Sequence, residues 1–427
     1  MKFLFISDLY PPISKGGYEM RCKETVEAFN QRGHNSVVLT TKLNREKLGV
    51  EPNIYRLLHS NPLHTADTNK KSFDLIRLQR RYKQVKWAIQ CRQNKIITEN
   101  LANNVRPDIA FIWNMELLGV EPILAVQKHK IPTIYSIGEY WLLELKKELC
   151  QDPNPIKRRY RAMILGLSYF NQLDLSHMLV VSHAVKQLYV ANSFVERDIR
   201  VIPRGIDSDL ILNTNRLNNF KNNQKDKIRL VYVGRVVPEK APDIAIQALG
   251  TLVQEMNQKN IYLDIIGSGT DQYILELRKI IAAHNLQDNV AFLGRMDHKE
   301  LINRYCQYNA LLFPARWEEP FSSSILEAMA RGVPVIASKR GGALDIIRDG
   351  ENGLLIPVDE PVILANTILR LIQNPDLAQN IRVNALQTVI DKYTQEQIVD
   401  QILDYMSEVL DSKFRNVLNS SQVQNKN

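Results

Sequence analysis

Two cations stand together just past an apolar run: Arg235 and Lys240, in VYVGRVVPEK, with Gly234 between the run and the first of them. The run 229–233 reads as a strand that delivers the glycine at its carboxyl end, and Gly234 lets the backbone turn tightly. Fixed cations at one loop mouth suit a diphosphate, whose charge grows as it departs; alone, they read equally as solvated surface charges. A second group is Glu319-Pro-Phe-Ser-Ser-Ser-Ile-Leu-Glu327. Ser322, Ser323 and Ser324 stand where a helix begins, capping free N–H groups. The same N–H groups and the helix dipole suit an anion site. Glu319, ahead of the helix, and Glu327, inside it, are acceptors suited to sugar or ribose hydroxyls, or else a helix-start acid and a solvated face residue. Gly267-Ser-Gly269 follows the strand at 262–266, and Gly16-Gly17 follows the first strand. At both, backbone can approach a ligand, a plain turn or loop being the alternative. Neither is a full GxGxxG, and the acid of a nicotinamide site is missing. Gly341-Gly342 reads as a turn.

These groups need strands to carry them. Residues 2–7, a helix ending at Gly33 and Ser36–Thr40 make a β-α-β unit, and the rhythm continues through strands at 109–113, 133–137, 179–182 and 200–202. A polar, Asn- and Lys-rich stretch at 213–227 interrupts it. A second series then runs through 229–233, 262–266, 290–293, 310–313, 335–337 and 354–356, followed by helices and a frayed polar end. Strands alternating with helices imply parallel sheets covered on both faces. The division is residues 1–207 as an acceptor-side Rossmann-like domain, 208–227 as linker and 228–390 as a donor-side Rossmann-like domain. Residues 391–427 are expected to form a C-terminal helix that packs back on the first domain, then a polar tail. The fold class is thus α/β, two doubly wound parallel sheets facing a cleft, with chemistry in the loops after the strands.

Composition narrows the setting. The 427 residues carry a formal net charge of +9, and 44% are hydrophobic, which suits an ordinary globular protein. The four cysteines are scattered with no metal or disulfide spacing, pointing to a reducing compartment and no metal site. No apolar run approaches the roughly 18 residues of a membrane span, and the N-terminus is unlike a signal peptide, so the expected location is the cytoplasm.

In this order and spacing the residues resemble the retaining glycosyltransferases of family 4, which have the GT-B fold. The resemblance covers nearly the whole chain: SDLYPPISKGGYEM, then VVSHAVKQLYV and VIPRGID, then GRVVPEK, IIGSG, FLGR, the E-x7-E span EPFSSSILE, GVPVIAS and DGENGLL. It implies transfer of a sugar from a nucleotide-diphosphate donor to a glycan, lipid-linked or small-molecule acceptor, with no metal or other cofactor. By position, Arg235 and Lys240 would clamp the diphosphate and Glu327 would bind the ribose. Glu319, with the backbone from Phe321 to Ser324, would face the donor sugar and distal phosphate. Gly16 and Gly17 would approach that phosphate, with Gly234, Gly267 and Gly269 shaping the donor loops, and Arg295 would lie by the base. Three positions depart from the family: Ala241 and Ser322 stand where glycine is frequent, and Gly138 stands where a histidine is usual. Glu139 beside it is a candidate sugar contact. Gly138 keeps one other reading in view, a catalytically silent nucleotide- or sugar-binding module of a polysaccharide assembly; a sugar-nucleotide epimerase is a third, for which the sequence offers no identifiable acid/base groups.

Residues 70–95 hold nine Lys or Arg and one acid, with Leu75, Leu78, Tyr82, Val85 and Ile89 at helical spacing. A second basic cluster is Lys157-Arg158-Arg159 with Arg161. The helix suits peripheral attachment to an anionic membrane; alternatively its apolar face joins the core and its charges are solvated. No nucleic-acid motif accompanies the charge.

Overall fold

The computed structural model describes residues 1–14, 16–43, 51–61, 73–150, 153–211 and 227–424, with side chains at 73–81, 164 and 414–424 outside the description. The chain groups into two compact units. The first comprises Met1–Val180, Lys186–Ile202 and Val399–Asn427; the second comprises Val181–Val185 and Pro203–Ile398. The stretch at 213–227, taken from sequence as part of a linker, lies almost wholly outside the described residues.

In the first unit, strands β1 (Lys2–Ile6), β2 (Asn35–Thr41), β3 (Ile54–Leu58), β4 (Ile109–Ile112), β5 (Thr133–Ile137), β6 (Met178–Val180) and β7 (Ile199–Val201) form one sheet. Its order is β3-β2-β1-β4-β5-β6-β7, and every pair is parallel. Phe3, Leu4, Phe5 and Ile6 are fully buried, so both faces of β1 are covered, as continuous apolar runs require in parallel sheets. Phe29 packs against Phe3 and Phe5, and Phe111 against Phe5, in tilted or T-shaped pairs with ring centroids 4.8 to 5.6 Å apart.

Strand β3 is absent from the sequence reading, because Arg56 breaks its apolar run. Buried at 4% exposure, Arg56 pairs with Glu51 at 2.6 Å and donates to the carbonyls of Tyr10 (3.0 Å) and Pro11 (2.6 Å). It therefore ties the edge of the sheet to the loop after β1. The C-terminal helix is also longer than sequence suggests: it spans Gln395–Gln424 and takes in most of the polar end read as frayed.

In the second unit, β8 (Ile228–Val233), β9 (Ile261–Ile266), β10 (Val290–Gly294), β11 (Ala310–Phe313), β12 (Val335–Ser338) and β13 (Leu354–Ile356) form a parallel sheet ordered β10-β9-β8-β11-β12-β13. Leu230, Leu263, Leu312 and Ile336 lead its core. The strand order reverses between β8 and β11, and ligands of doubly wound sheets bind beyond the strand ends at such a switch point. The loop after β8 carries Gly234 to Lys240, and the loop after β11 carries Glu319.

Candidate donor site

The loop after β8 is held from beneath. Gly234 donates to Ile266 O at 3.0 Å, and Val236 to Ser268 O at 2.8 Å. The fit is so close that a Cβ on Gly267 would lie 1.8 Å from Gly234 O, and one on Gly269 would lie 2.1 Å from Val236 O. These two glycines therefore serve the loop that carries the cations. From above, buried Tyr232 donates its hydroxyl to Arg235 O at 2.7 Å. The turn Pro238–Lys240 ends at Ala241, which takes a left-handed conformation (φ 53°) where the family often has glycine.

Arg316 locks this turn to the loop after β11. Its backbone N–H donates to Glu239 O at 2.9 Å, and its guanidinium donates to Pro238 O at 2.9 Å. The same guanidinium grips Asp243 through two nitrogens, at 2.9 and 2.5 Å, and also pairs with Asp359. A bidentate fork of this kind fixes direction as well as distance. Tyr273 adds a hydroxyl hydrogen bond to Asp243 at 3.0 Å.

The result is a compact cluster. Lys240 Nζ pairs with Glu319 Oε2, and the two side chains are 13% and 16% exposed. Trp317 donates its indole N–H to the same oxygen at 2.7 Å. Lys240 Nζ also lies 5.5 Å from the ring centres of both Phe313 and Trp317, a cation held against two aromatic faces. Behind Glu319, Gly342 donates to its carbonyl at 2.7 Å, and a Cβ on Gly341 (φ 58°) would lie 2.6 Å from that oxygen. The Gly341-Gly342 turn is thus the support of the Glu319 loop.

The helix Ser323–Ala330 begins just after this cluster, with Ser322 as N-cap accepting from Ile325 N at 3.4 Å. Phe321 is 1% exposed, so only its backbone is offered to a ligand. Glu327 is nearly buried and meets His298 Nε2 at 3.1 Å. Burial, and then the charge of Glu327, push the phenol of Tyr305 well up.

The structure therefore joins Lys240 to Glu319 directly. Arg235 extends outward, its side chain 64% exposed and 3.8 Å from Glu239, and Arg295 is exposed beyond β10. Gly16, Gly17 and Glu139 belong to the first unit. Gly16 donates to Glu19 Oε2 at 3.0 Å at the start of the helix Gly17–Gln31. Its backbone is extended (φ −168°), and a Cβ on either glycine would meet nothing within 4 Å. Among the described residues of the unit nothing requires glycine at these two positions. Glu139 is exposed just past β5, next to buried Gly138.

Sequence reading missed Arg316, Trp317 and His298. Arg316 and Trp317 lie in a loop without periodicity, and only their adjacency to the E-x7-E span marks them. His298 lies on a separate short helix, His298–Tyr305, and no spacing links it to Glu327.

Comparison with known proteins agrees with this geometry. Residues 15–210 match the profile described as Glycosyltransferase Family 4, and residues 214–388 match the profile described as Glycosyl transferases group 1. An uncharacterized glycosyltransferase of Methanocaldococcus jannaschii, MJ1069, is 28% identical over 56% of this chain and 59% of its own length. A second from that organism, MJ1607, is 24% identical over 95% of this chain and 97% of its own length. For other curated relatives the match spans under half of their length. The Anabaena protein Alr3699/HepE, solved with UDP, superposes with a TM-score of 0.67 over 96% of this chain and 100% of its own, at 19% identity. Its likeness shows the fold, which is GT-B: two Rossmann-like parallel-sheet units. With one profile matching each half and the switch-point residues arranged as described, the chain belongs to the group 1 glycosyltransferases of family 4.

Proposed function

We propose that the chain transfers a hexosyl group from a nucleoside-diphosphate-sugar donor to a glycan, lipid-linked or small-molecule acceptor, with retained configuration and without a metal. The work would take place in the cytoplasm, in polysaccharide or glycoconjugate assembly. The observation that carries this reading is the pairing of Lys240 with Glu319 just ahead of a capped helix, with Trp317 and Phe313 around the cation.

Donor diphosphate competes with Glu319 for Lys240 Nζ. As it takes the cation, Glu319 is released toward the sugar hydroxyls, still oriented by the Trp317 N–H. Glu327 holds the ribose, and Arg235, free to swing inward, adds a second charge. The bond from the anomeric carbon to phosphate oxygen breaks, and a bond to the acceptor oxygen forms on the same face. The acceptor proton passes to the departing phosphate oxygen, so no protein base is needed at Gly138. Lys240, Arg235 and the helix N-terminus stabilise the charge that grows on the phosphate.

The test is a panel of UDP-, GDP- and ADP-sugars without acceptor, scored by thermal shift and by slow release of nucleoside diphosphate. UDP-glucose is the first donor to try, since HepE has been solved with it. One donor that binds and turns over, with both signals lost in Lys240→Ala and Glu319→Ala, is the expected result. Binding without turnover, even with candidate acceptors present, favours the silent module, for which the absence of histidine at Gly138 is the reason.

A further inference from the structure

The helix Phe73–Val105 carries two opposed stripes, a mixed one that the first unit covers and an apolar one that it leaves exposed. Trp87, Cys91, Asn94, Thr98 and Leu101 are buried. On the other side Tyr82, Val85, Ile89 and Ile96 are 69, 61, 55 and 56% exposed. At 3.6 residues per turn these four fall within about 60° of arc, roughly opposite the buried stripe. The alternative in which this apolar face joins the core is not met at Tyr82, Val85 and Ile89, while the side chains of Leu75 and Leu78 lie outside the described residues.

A second helix, Pro155–Leu165, repeats the pattern in miniature. Ile156, Tyr160 and Met163, spaced i, i+4, i+7, are 80, 51 and 43% exposed. Tyr160 donates to Gln84 at 3.2 Å, which sets this helix beside the first. Cations flank both stripes: Lys86 and Arg92 on the longer helix, Lys157 and Arg159 on the shorter. Among the described residues none of these four has an ion-pair partner, and neither has Arg158. The open groove along the shorter helix, about 1150 Å³, is bordered by Arg92, Arg158, Arg159 and Ile156, with no carboxylate among the described residues of its lining.

We propose that these two helices form a docking face for an anionic lipid bilayer. Aliphatic crests such as Val85, Ile89 and Ile156 gain by leaving water and have no use against a nucleic-acid backbone. The flanking arginines and lysines keep their charged heads at the level of lipid phosphates. Glu148 beside the shorter helix is already paired with Arg161, so the remaining cations leave an excess of positive charge on this face, which matches a uniformly anionic sheet.

The test uses the full chain, with neither donor nor acceptor, in flotation against vesicles of phosphatidylcholine alone and of phosphatidylcholine with 30% phosphatidylglycerol. The wild type floats with the anionic vesicles alone, and less so at high salt. The variant Val85→Ser/Ile89→Ser/Ile156→Ser loses partitioning by ten-fold or more with its melting temperature unchanged. A second variant, Arg158→Gln/Arg159→Gln, leaves the apolar stripe intact and loses about five-fold per cation. No flotation of the wild type overturns the proposal, as does equal binding to neutral vesicles. Loss in the arginine variant with none in the serine variant also overturns it, in favour of a surface for a soluble polyanion.

Discussion

Gly267 and Gly16 carry the same residue for opposite reasons, and alanine at each separates them. At Gly267 a Cβ would lie 1.8 Å from Gly234 O, whereas real contacts do not fall below 3.0 Å, so the loops must part by 3.0 − 1.8 = 1.2 Å. That breaks the hydrogen bonds from Gly234 to Ile266 O and from Val236 to Ser268 O. Two such bonds at about 1 kcal/mol each, with about 1–3 kcal/mol for a side chain at an unfavourable φ, give roughly 3–5 kcal/mol. For a unit of this size that is a fall in melting temperature on the order of 10 °C. At Gly16 a Cβ meets nothing and the backbone is extended, but Gly16 is the N-cap of its helix, where alanine is the poorer residue; the entropy gain and the cap loss, each about 1 kcal/mol, offset, so Gly16→Ala leaves stability within about 1 kcal/mol of the wild type. If Gly16 offers its backbone to substrate, the same change lowers turnover by about ten-fold or more, equivalent to about 1.4 kcal/mol of lost contact. Differential scanning calorimetry and a donor-release assay on both variants decide the matter. A Gly267→Ala protein that melts with the wild type, or a Gly16→Ala protein that melts far lower while turning over normally, refutes the reasoning.

Trp317→Phe keeps an aromatic face for Lys240 but removes the N–H on Glu319, so turnover falls about ten-fold with little change in melting; wild-type rates in this variant count against Glu319 needing that donor. Arg316→Lys loses the fork on Asp243, costs about 2–3 kcal/mol and raises the donor KM, since the turn bearing Lys240 is released; melting and KM are measured together, and an unchanged KM would separate the network from the site. Burial pushes the Asp8 carboxyl up to about 8 from 3.8, and that of Glu121 up to about 7. The native state then holds protons that the unfolded chain releases, so stability falls as pH rises from about 4 to about 8, by up to about 1.4 kcal/mol per pH unit from Asp8. Asp8→Asn flattens that fall, and urea midpoints at pH 5 and 7.5 that differ as much as in the wild type would contradict it.

The strands were legible wherever β-branched and aromatic residues run together, as in β1 and β8, because parallel strands covered on both faces need no alternation. Strand β3 was hidden by Arg56, whose charge is satisfied by two carbonyls and Glu51 rather than by water. Motif spacing placed Lys240 and Glu319 at the mouth of one sheet, but it did not show that they touch, since that depends on Arg316 drawing two distant loops together. The helix Phe73–Val105 shows another limit. Its buried stripe includes Asn94 and Thr98, which hydrogen-bond within the unit, so polarity by itself favours the wrong face.

The close approach of the strand ends has a consequence for redesign. Gly234 leans on Ile266, and Gly267 in turn donates to Gly294 O at 2.8 Å, forming a seam of bare backbone across three neighbouring strands. The seam has no slack, and any side chain added at Gly267 would separate its members before it reached a substrate. Altered preference for a donor must therefore come from the loops that rise above it, at 235–241, 295–297 and 316–322. A library placed at exposed or half-buried positions of those stretches, such as Arg235, Glu239, Arg295 and Asp297, leaves the seam and its supports intact, whereas one that includes Gly267 or Gly269 fills up with destabilised proteins.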